Sequence, residues 1–335
     1  MAVTIRDVAR EARVSVASVS RALNGSPAVT DETRARISRI AQRLRYVPHS
    51  AARSLITKRT QTVGALLPDL YGEFFSELIR GIDLAARAHG LHLLVSSSHG
   101  DADEAAAALR AMQGRVDGML ILSPHVDAAF LRANLPESIP AVLLNSALES
   151  PQFDVLNIDN YGGAHAMTRH LLDAGHASIA FVSGPGDNFD AQQRERGYVD
   201  AMATFAPKAA ARIVKGDFSE ESGYRAGLSL AKGGKPPRAV FAANDMMAVG
   251  CLRAFAQSGL RVPHDVALAG FDDIPVAHYI TPALTTVRVR IADLGRDALE
   301  RLATTIEKPG RTCHETQTLG CEVVVRASSG GTQKH

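Results

Sequence analysis

Beyond residue 61 the chain alternates short apolar runs with amphipathic stretches, and this order constrains the fold more than any other feature. The apolar runs predict strands at 63–68, 91–97, 117–122, 140–145, 154–159, 177–183, 211–218, 239–244 and 265–273, and the stretches between them predict helices, among them 74–89, 102–113 and 126–134. Strands that alternate with helices form parallel sheets covered on both faces. Because the series starts twice, the second time near 177, we expect an α/β fold with two lobes.

Polar and aromatic residues gather near the carboxyl ends of these predicted strands, where open parallel sheets bind their ligands. The candidates are Asp69, Phe74, Asn145, Arg194, Phe218, Asn244 and Asp272. Carboxylates, amides and guanidinium groups hydrogen-bond to hydroxyls, and aromatic rings cover the apolar face of a pyranose or the plane of a base. Each Asp or Asn taken singly could instead cap a helix. Together they favour a small-molecule site between the two lobes.

The first 47 residues predict three short helices of a helix-turn-helix domain. Thr4 and Asp7 have the spacing of a capping box at the start of a helix over 5–12. Ser15 can cap a second helix, and Thr30 a third. The apolar side of the second helix is expected to comprise Val16, Val19 and Leu23. A purely structural three-helix bundle is the alternative, but it does not explain the small exposed residues of the second helix.

Charge is distributed unevenly along the chain. Residues 1–60 hold 12 Lys or Arg against 4 Asp or Glu, a net charge of +8, while the remainder has a net charge of −6. A basic head on an acidic body favours contact with a polyanion, although a solvated basic face is the plainer alternative. In a helix-turn-helix the first turn of the second helix meets base edges in the major groove. Arg21, one turn further along that helix, is its only side chain that can bind guanine with two hydrogen bonds.

Residues 48–57 are predicted to form a helix too short to be stable alone in water. Leu55 and Ile56 would be exposed in an isolated linker, so they need a partner. One partner is a base step into which an apolar side chain is wedged from the minor groove. Packing on the body is the alternative. We therefore assign residues 48–60 as a hinge helix and linker.

The run TIRDVAREARVSVASVSRALNGSPAVTDETRARISRIAQRLRYVPHSAARSL closely resembles the DNA-binding head of the LacI/GalR family. The resemblance implies that Val16 and Ala17 set operator choice, that Arg21 follows them, and that Leu55 intercalates at the operator centre. The implied DNA-contacting residues are Thr4, Ser15, Val16, Ala17, Ser20, Arg21, Asn24, His49, Arg53 and Leu55.

The body resembles the same family in the motifs QRERGY (193–198), NDMMAVG (244–250) and GFDDIPVAHYITPALTTVR (270–288). The resemblance implies a sensor domain of the periplasmic-binding-protein type (type I) over 61–330, with the seven candidates above lining an effector pocket. The family's chain crosses three times between lobes. We expect one lobe at about 61–160 and 290–317, and the other at about 161–289 and 318–327. The C-terminal SSGGTQKH carries no heptads, which favours a homodimer.

The expected function is repression of carbohydrate-utilisation genes from a pseudo-palindromic operator, controlled by a sugar or sugar phosphate. A purine- or nucleoside-responsive regulator remains open. A solute-binding protein is a weaker alternative, since it would explain neither the basic head nor the missing signal peptide. The N-terminus and the lack of a long apolar run favour the cytoplasm and no membrane contact.

An enzyme is disfavoured because the sequence has no Walker loop, no GxSxG elbow and no Ser/Cys–His pairing at a recognisable spacing. Gly184-Pro185-Gly186 lacks the third glycine of a dinucleotide fingerprint. Three dispersed cysteines give no disulfide framework, and His165 and His170 lack metal-site spacing. We therefore expect no metal and no cofactor.

Overall fold

The computed structural model describes residues 3–23, 26–46, 59–123, 126–148, 152–232, 236–308 and 314–330. These residues form two compact units, a head that ends at Thr60 and a body that begins at Gln61.

The head consists of α1 (Ile5–Ala12), α2 (Val16–Leu23) and α3 (Asp31–Arg43). The predicted capping arrangement is present at α1, where the Asp7 carboxylate accepts the Thr4 backbone N–H at 2.9 Å and the Thr4 hydroxyl at 2.7 Å. Thr30 Oγ1 accepts the backbone N–H of Thr33 at the start of α3. These bonds satisfy backbone donors that a helix start otherwise leaves without partners.

A small apolar core joins the three helices of the head, with Val8, Val19 and Ile37 fully buried at its centre. Our expectation that Val16 is part of the apolar side of α2 is wrong, because Val16 is 41% exposed. The buried side of α2 runs through Val19 and Ala22 instead. Val16 lies in the first turn at the edge of that side, which leaves its methyl groups free for an external contact.

One lobe of the body is built on a sheet in which every strand pair is parallel. Its strands are β1 (Thr62–Leu67), β2 (His92–Ser97), β3 (Gly118–Ile121), β4 (Ala141–Leu144), β5 (Asp154–Ile158) and β11 (Thr316–Leu319), in the order β11-β5-β4-β3-β1-β2. Its helices are α4 (Glu73–Ala88), α5 (Ala102–Met112), α6 (Ala128–Asn134) and α12 (Ile291–Glu307). Every residue of β3 and β4 is buried, as expected for strands covered on both faces.

The other lobe repeats this plan with the order β12-β10-β9-β8-β6-β7. Its strands are β6 (Ile179–Ser183), β7 (Arg212–Lys215), β8 (Ala239–Ala242), β9 (Ala267–Asp272), β10 (Thr285–Arg288) and β12 (Glu322–Val324). Its helices are α7 (Asn160–Asp173), α8 (Phe189–Phe205), α9 (Glu220–Lys232), α10 (Asp245–Gln257) and the single turn α11 (Val276–Tyr279). All pairs are parallel except β10 with β12.

The helix α12 follows a strand of the second lobe but packs on α4 of the first. Glycines make this close approach possible. A Cβ on Gly81 would lie 2.0 Å from the carbonyl oxygen of Ala292, and one on Gly295 would lie 2.5 Å from that of Leu78. The chain then adds β11 to the first sheet and β12 to the second, so each lobe contains distant segments of the sequence.

None of the helices in the described parts of the chain is both long enough and apolar enough to span a membrane.

Candidate functional site

Arg194, on α8, is the centre of a buried polar cluster beyond the strand ends of the second lobe. Its Nε donates to Asn160 Oδ1 at 2.7 Å, and Nη1 donates to the carbonyl oxygen of Ala243 at 2.6 Å. Its Nη2 lies 3.0 Å from Asp272 Oδ1 in an ion pair. The guanidinium also lies 3.8 Å from the centre of the Phe271 ring. Because every nitrogen has a partner, the charge is held in one fixed position.

Asp190, one helical turn before Arg194, was not among our candidates. Its Oδ2 accepts Asn145 Nδ2 at 2.8 Å, and its Oδ1 accepts Asn160 Nδ2 at 2.8 Å. Asn145 follows β4 of the first lobe, so Asp190 connects the two lobes. Burial raises the pKa of Asp190 to about 6, and the nearby Arg194 partly opposes that rise. In the sequence, Asp190 could have been identified by its spacing of four residues from Arg194, which places both on one helix face.

Two further hydrogen bonds cross between the lobes. Glu73 Oε2, at the start of α4, accepts the backbone N–H of Val276 at 2.8 Å. The hydroxyl of Tyr71 donates to Glu220 Oε2 at 3.4 Å. Together with the Asn145–Asp190 bond, they hold the lobes in one relative arrangement.

Carboxyl groups are concentrated around Arg194. Burial raises the pKa of Asp272 to about 6, against the lowering effect of Arg194. Asp245 is fully buried, accepting Thr286 Oγ1 at 2.5 Å and the backbone N–H of Ile274 at 3.0 Å. Burial, together with the charge of Asp272, raises the pKa of Asp245 well above its ordinary value. The cluster therefore contains more carboxyl groups than its one guanidinium can neutralise.

Three of the candidates have backbone conformations that L-residues seldom adopt. Asn145 has φ +49°, Phe218 has φ +70° and Asp272 has φ +108°. Unfavourable backbone conformations of this kind are concentrated at functional sites. Asn145 Oδ1 is also buried without a hydrogen-bond partner among the described residues. A buried amide oxygen without a donor is costly, so this atom is ready to accept one.

Other candidates make local contacts. Asn244 caps α10, since its Oδ1 accepts the backbone N–H of Met247 at 2.9 Å, and its Nδ2 donates to the Phe218 carbonyl at 2.9 Å. The helix-cap alternative is therefore realised for Asn244, whose amide keeps one N–H for another acceptor.

Two candidates come from the first lobe. Asp69 is exposed, and its Oδ1 accepts the backbone N–H groups of Leu70 and Tyr71 at 2.6 and 3.0 Å. Asp69 thus stabilises the turn before α4. Phe74 packs edge-on against Phe75, with ring centres 5.4 Å apart.

In the head, Ser15 and the first residues of α2, Val16 and Ala17, are exposed, and so is Arg21 in its last turn. Ser20 is partly buried, and Thr4 is exposed at the start of α1. The remaining four predicted DNA-contacting residues, Asn24, His49, Arg53 and Leu55, lie outside the described residues, as do residues 48–58 of the predicted hinge.

Two family models match the chain. Residues 4–49 match the model described as bacterial regulatory proteins, lacI family. Residues 168–329 match the model described as a periplasmic binding protein-like domain. The first match falls in the head, and the second includes most of the second lobe together with α12 and β11 of the first.

Curated relatives are similar over nearly the full length. The chain is 35% identical to Catabolite control protein A of Priestia megaterium, over 92% of this chain and 94% of the relative. It is 34% identical to the Ribose operon repressor of Haemophilus influenzae, over 97% and 98% of the two chains. It is 32% identical to the HTH-type transcriptional repressor PurR of Aliivibrio fischeri, again over 97% and 98%.

Solved structures show the same architecture. A lac repressor dimer bound to operator and the anti-inducer ONPF matches with a TM-score of 0.86 and 28% identity, over 98% of this chain and 99% of that one. The transcriptional regulator CelR in complex with cellobiose matches with a TM-score of 0.72 and 30% identity, over 97% and 99%. The predicted family and fold class are thereby confirmed. The chain belongs to the lacI family of bacterial regulatory proteins and is a DNA-binding transcriptional regulator with a periplasmic-binding-protein-like sensor domain.

Proposed function

We propose that this regulator is a cytoplasmic, dimeric repressor of carbohydrate-utilisation genes, and that a sugar bound between its lobes sets its affinity for a pseudo-palindromic operator. The observation that carries this proposal is the cluster of Arg194, Asp272, Asp190 and Asn145, which is built from both lobes. A ligand at such a cluster contacts both lobes at once and favours one arrangement of them over others.

The chemistry of the cluster suits a sugar. Carboxylate oxygens accept from hydroxyls, amide groups both accept and donate, and the partly buried ring of Phe218 offers an apolar face 5.8 Å from the Arg194 guanidinium. We propose that Asp69, Phe74, Asn145, Arg194, Phe218, Asn244 and Asp272, joined by Asp190, form the pocket. The Ribose operon repressor and the cellobiose complex of CelR are relatives whose names point the same way.

The ligand would act by binding two arrangements of the lobes with unequal affinity, as any allosteric effector must. We propose domain limits of 1–47 for the head, 48–60 for the hinge and 61–330 for the sensor. In the sensor, 61–160 with 290–317 form the first lobe, and 161–289 with 318–327 form the second. A change in the angle between lobes would move the two hinges of a dimer relative to each other. Leu55 would enter the operator only when the hinges pair.

The exposed first turn of α2 supports base reading in the major groove. Arg21 would bind a guanine through two hydrogen bonds, while Val16 and Ala17 would contact a thymine methyl group. Thr4, Ser15, Ser20, Asn24, His49 and Arg53 would contribute the other operator contacts.

A purine or nucleoside effector is the second candidate. The name of the PurR relative and the Phe218 ring beside Arg194 both favour it. Titration of operator binding with sugars, nucleosides and free bases distinguishes a sugar effector from a purine or nucleoside effector.

The test measures operator binding by the full chain while sugars, nucleosides and free bases are titrated. We expect a sugar to change the operator affinity, and we expect Arg194→Ala to abolish that change while ligand-free operator binding is retained. Arg196→Ala is the matched control, because Arg196 lies on the same helix but its side chain is 68% exposed. A normal sugar response in the Arg194→Ala variant would contradict the proposed pocket, and a response to bases alone would favour the second candidate.

A further inference from the structure

Asp190 is a charged group that both lobes hold in place. Its two oxygens accept one amide N–H each, from Asn145 in the first lobe and Asn160 in the second, both at 2.8 Å. A carboxylate has about four acceptor positions, so each oxygen keeps capacity for one more donor. Neither partner is charged, so neither neutralises the carboxylate.

The charge around Asp190 is unbalanced. Among the described residues, the charged groups that act on it are Arg194 and Asp272. Arg194 is already engaged, with Asp272 Oδ1 at 3.0 Å from its Nη2 and with hydrogen bonds from its other two nitrogens. The site thus contains two carboxylates, Asp190 and Asp272, and one guanidinium, that of Arg194.

Several acceptor atoms in the site have unfilled hydrogen-bonding capacity. Asn145 Oδ1 is buried and has no partner among the described residues, and Asp272 Oδ1 faces Arg194 in an ion pair without a well-directed hydrogen bond. Asp190 adds the free acceptor positions described above. A ligand that satisfies these atoms must supply O–H or N–H groups, whereas a phosphate brings oxygens that only accept.

We infer that the pocket selects an uncharged, hydroxyl-rich sugar against its phosphorylated form, and that Asp190 is the residue that enforces this choice. The inference rests on the proposed function and narrows it from sugars in general to unphosphorylated ones. A phosphate placed near Asp190 would meet a like charge where water is scarce, and such repulsion is several times stronger there than in bulk solvent. Hydroxyls would instead donate hydrogen bonds to Asp190 and Asn145 without electrostatic repulsion.

The first experiment is calorimetric titration of the full-length protein with pairs of a neutral sugar and its monophosphate, such as ribose with ribose 5-phosphate and glucose with glucose 6-phosphate, across a panel of pentoses, hexoses and disaccharides. We expect the best neutral sugar to bind at least about tenfold more tightly than its phosphate. A phosphate that binds as tightly as its parent sugar overturns the inference but leaves the proposed sugar response intact. Absence of binding by every neutral sugar overturns both.

The second experiment locates the selectivity in Asp190. Asp190→Asn removes the charge at almost constant volume, and Asn145 can turn its amide so that its unpartnered oxygen accepts from the new side chain. We expect the ratio of phosphate affinity to sugar affinity to rise at least about tenfold in this variant. Asp187→Asn is the control, because Asp187 is an exposed carboxylate in the loop just before α8. An unchanged ratio in Asp190→Asn, or an equal rise in Asp187→Asn, overturns the assignment to Asp190.

Discussion

At the scale of single residues, the Arg194 guanidinium is a buried charge, since only 4% of the side chain is exposed. Moving an ion pair from water into a protein interior costs more free energy than the Coulomb attraction returns, unless further hydrogen bonds satisfy both partners. Arg194 makes those bonds by donating to Asn160 Oδ1 and to the carbonyl oxygen of Ala243. Asp272 and Asp190 are less well neutralised. The result is a rigid guanidinium surrounded by carboxylates that bind protons more readily than usual.

This imbalance predicts how stability depends on pH. The folded-state pKa values of Asp190 and Asp272 are about 6, above the ordinary 3.8. A raised carboxyl pKa means that the folded state holds the proton more tightly. The protonated carboxyls therefore stabilise the folded state fully below about pH 4. This stabilisation is lost as the pH rises through about 6. We expect each carboxyl to contribute about 1–3 kcal/mol to this loss.

The measurement is the free energy of unfolding in urea between pH 4.5 and 7.5. In Asp190→Asn the loss of stability over this range should be smaller than in the wild-type protein by about 1–2 kcal/mol, because one of the two carboxyls no longer titrates. Asp187→Asn, which removes an exposed carboxyl, should follow the wild-type curve. Identical pH dependence in all three proteins would show that Asp190 titrates normally.

The residues of the polar cluster around Arg194 were predictable from the sequence to different degrees. Asn145 and Asp272 were predicted as strand-end polar groups, and Arg194 as a residue of the helix after a strand. The structure brings the three together through Asp190 and Asn160. Asp190 lies on the same helix as Arg194, and its importance depends on a contact with the other lobe that local patterns do not reveal. Asn244 shows the reverse, because a strand-end amide has the same sequence signature whether it caps a helix or faces a ligand.

At the scale of elements, the nine strands predicted from apolar runs are present as β1–β9, whereas β10, β11 and β12 were not predicted. β10 is Thr-Thr-Val-Arg, and its threonines are buried because other segments satisfy their hydroxyls. Thr285 Oγ1 donates to the Arg326 carbonyl at 3.0 Å, and Thr286 Oγ1 donates to Asp245. β11 and β12 are short and mostly exposed or partly buried edge strands. Hydrophobic patterns identify strands by runs of apolar side chains, so they miss β10 and β11, which have one apolar residue each, and β12, which has three residues in all.

The exposed position of Arg21 on α2 predicts how its removal should change operator binding. Arg21 is exposed, and among the residues of α2 it alone has a guanidinium group. Arg21→Ala should weaken operator binding by about 1–3 kcal/mol per half-site and relax the preference at one base position, because a bidentate contact to guanine is lost. Selection from randomised operators, followed by affinity measurement, checks both effects.

Arg39→Ala is the charge-matched control for this experiment, since Arg39 is an exposed arginine on α3. It should leave base preference unchanged, whatever it does to overall affinity. If Arg21→Ala also keeps the wild-type preference at every position, Arg21 has no part in base reading.

At the scale of the whole molecule, the two units differ in the sign of their net charge. The head carries +8 and the remainder −6, and a dimer presents the basic head twice. Operator affinity should therefore fall steeply with salt, by about 10³–10⁵-fold between 50 and 200 mM for on the order of 6–10 phosphate contacts. Fluorescence anisotropy at a series of salt concentrations measures the slope. A nearly flat slope would contradict phosphate contact by the basic head.

The return of the chain to both lobes near its end has a genetic consequence. Residues 314–330 supply β11 to one sheet and β12 to the other, and their 3₁₀ turn, Ala327–Ser329, supplies Ser328 Oγ to the backbone N–H of Thr285. A nonsense or frameshift allele that spares the first nine-tenths of the gene would still remove an edge from each lobe at once. Such alleles should cluster with complete losses of regulation, whereas substitutions confined to the effector cluster should leave operator binding that no longer responds to the effector.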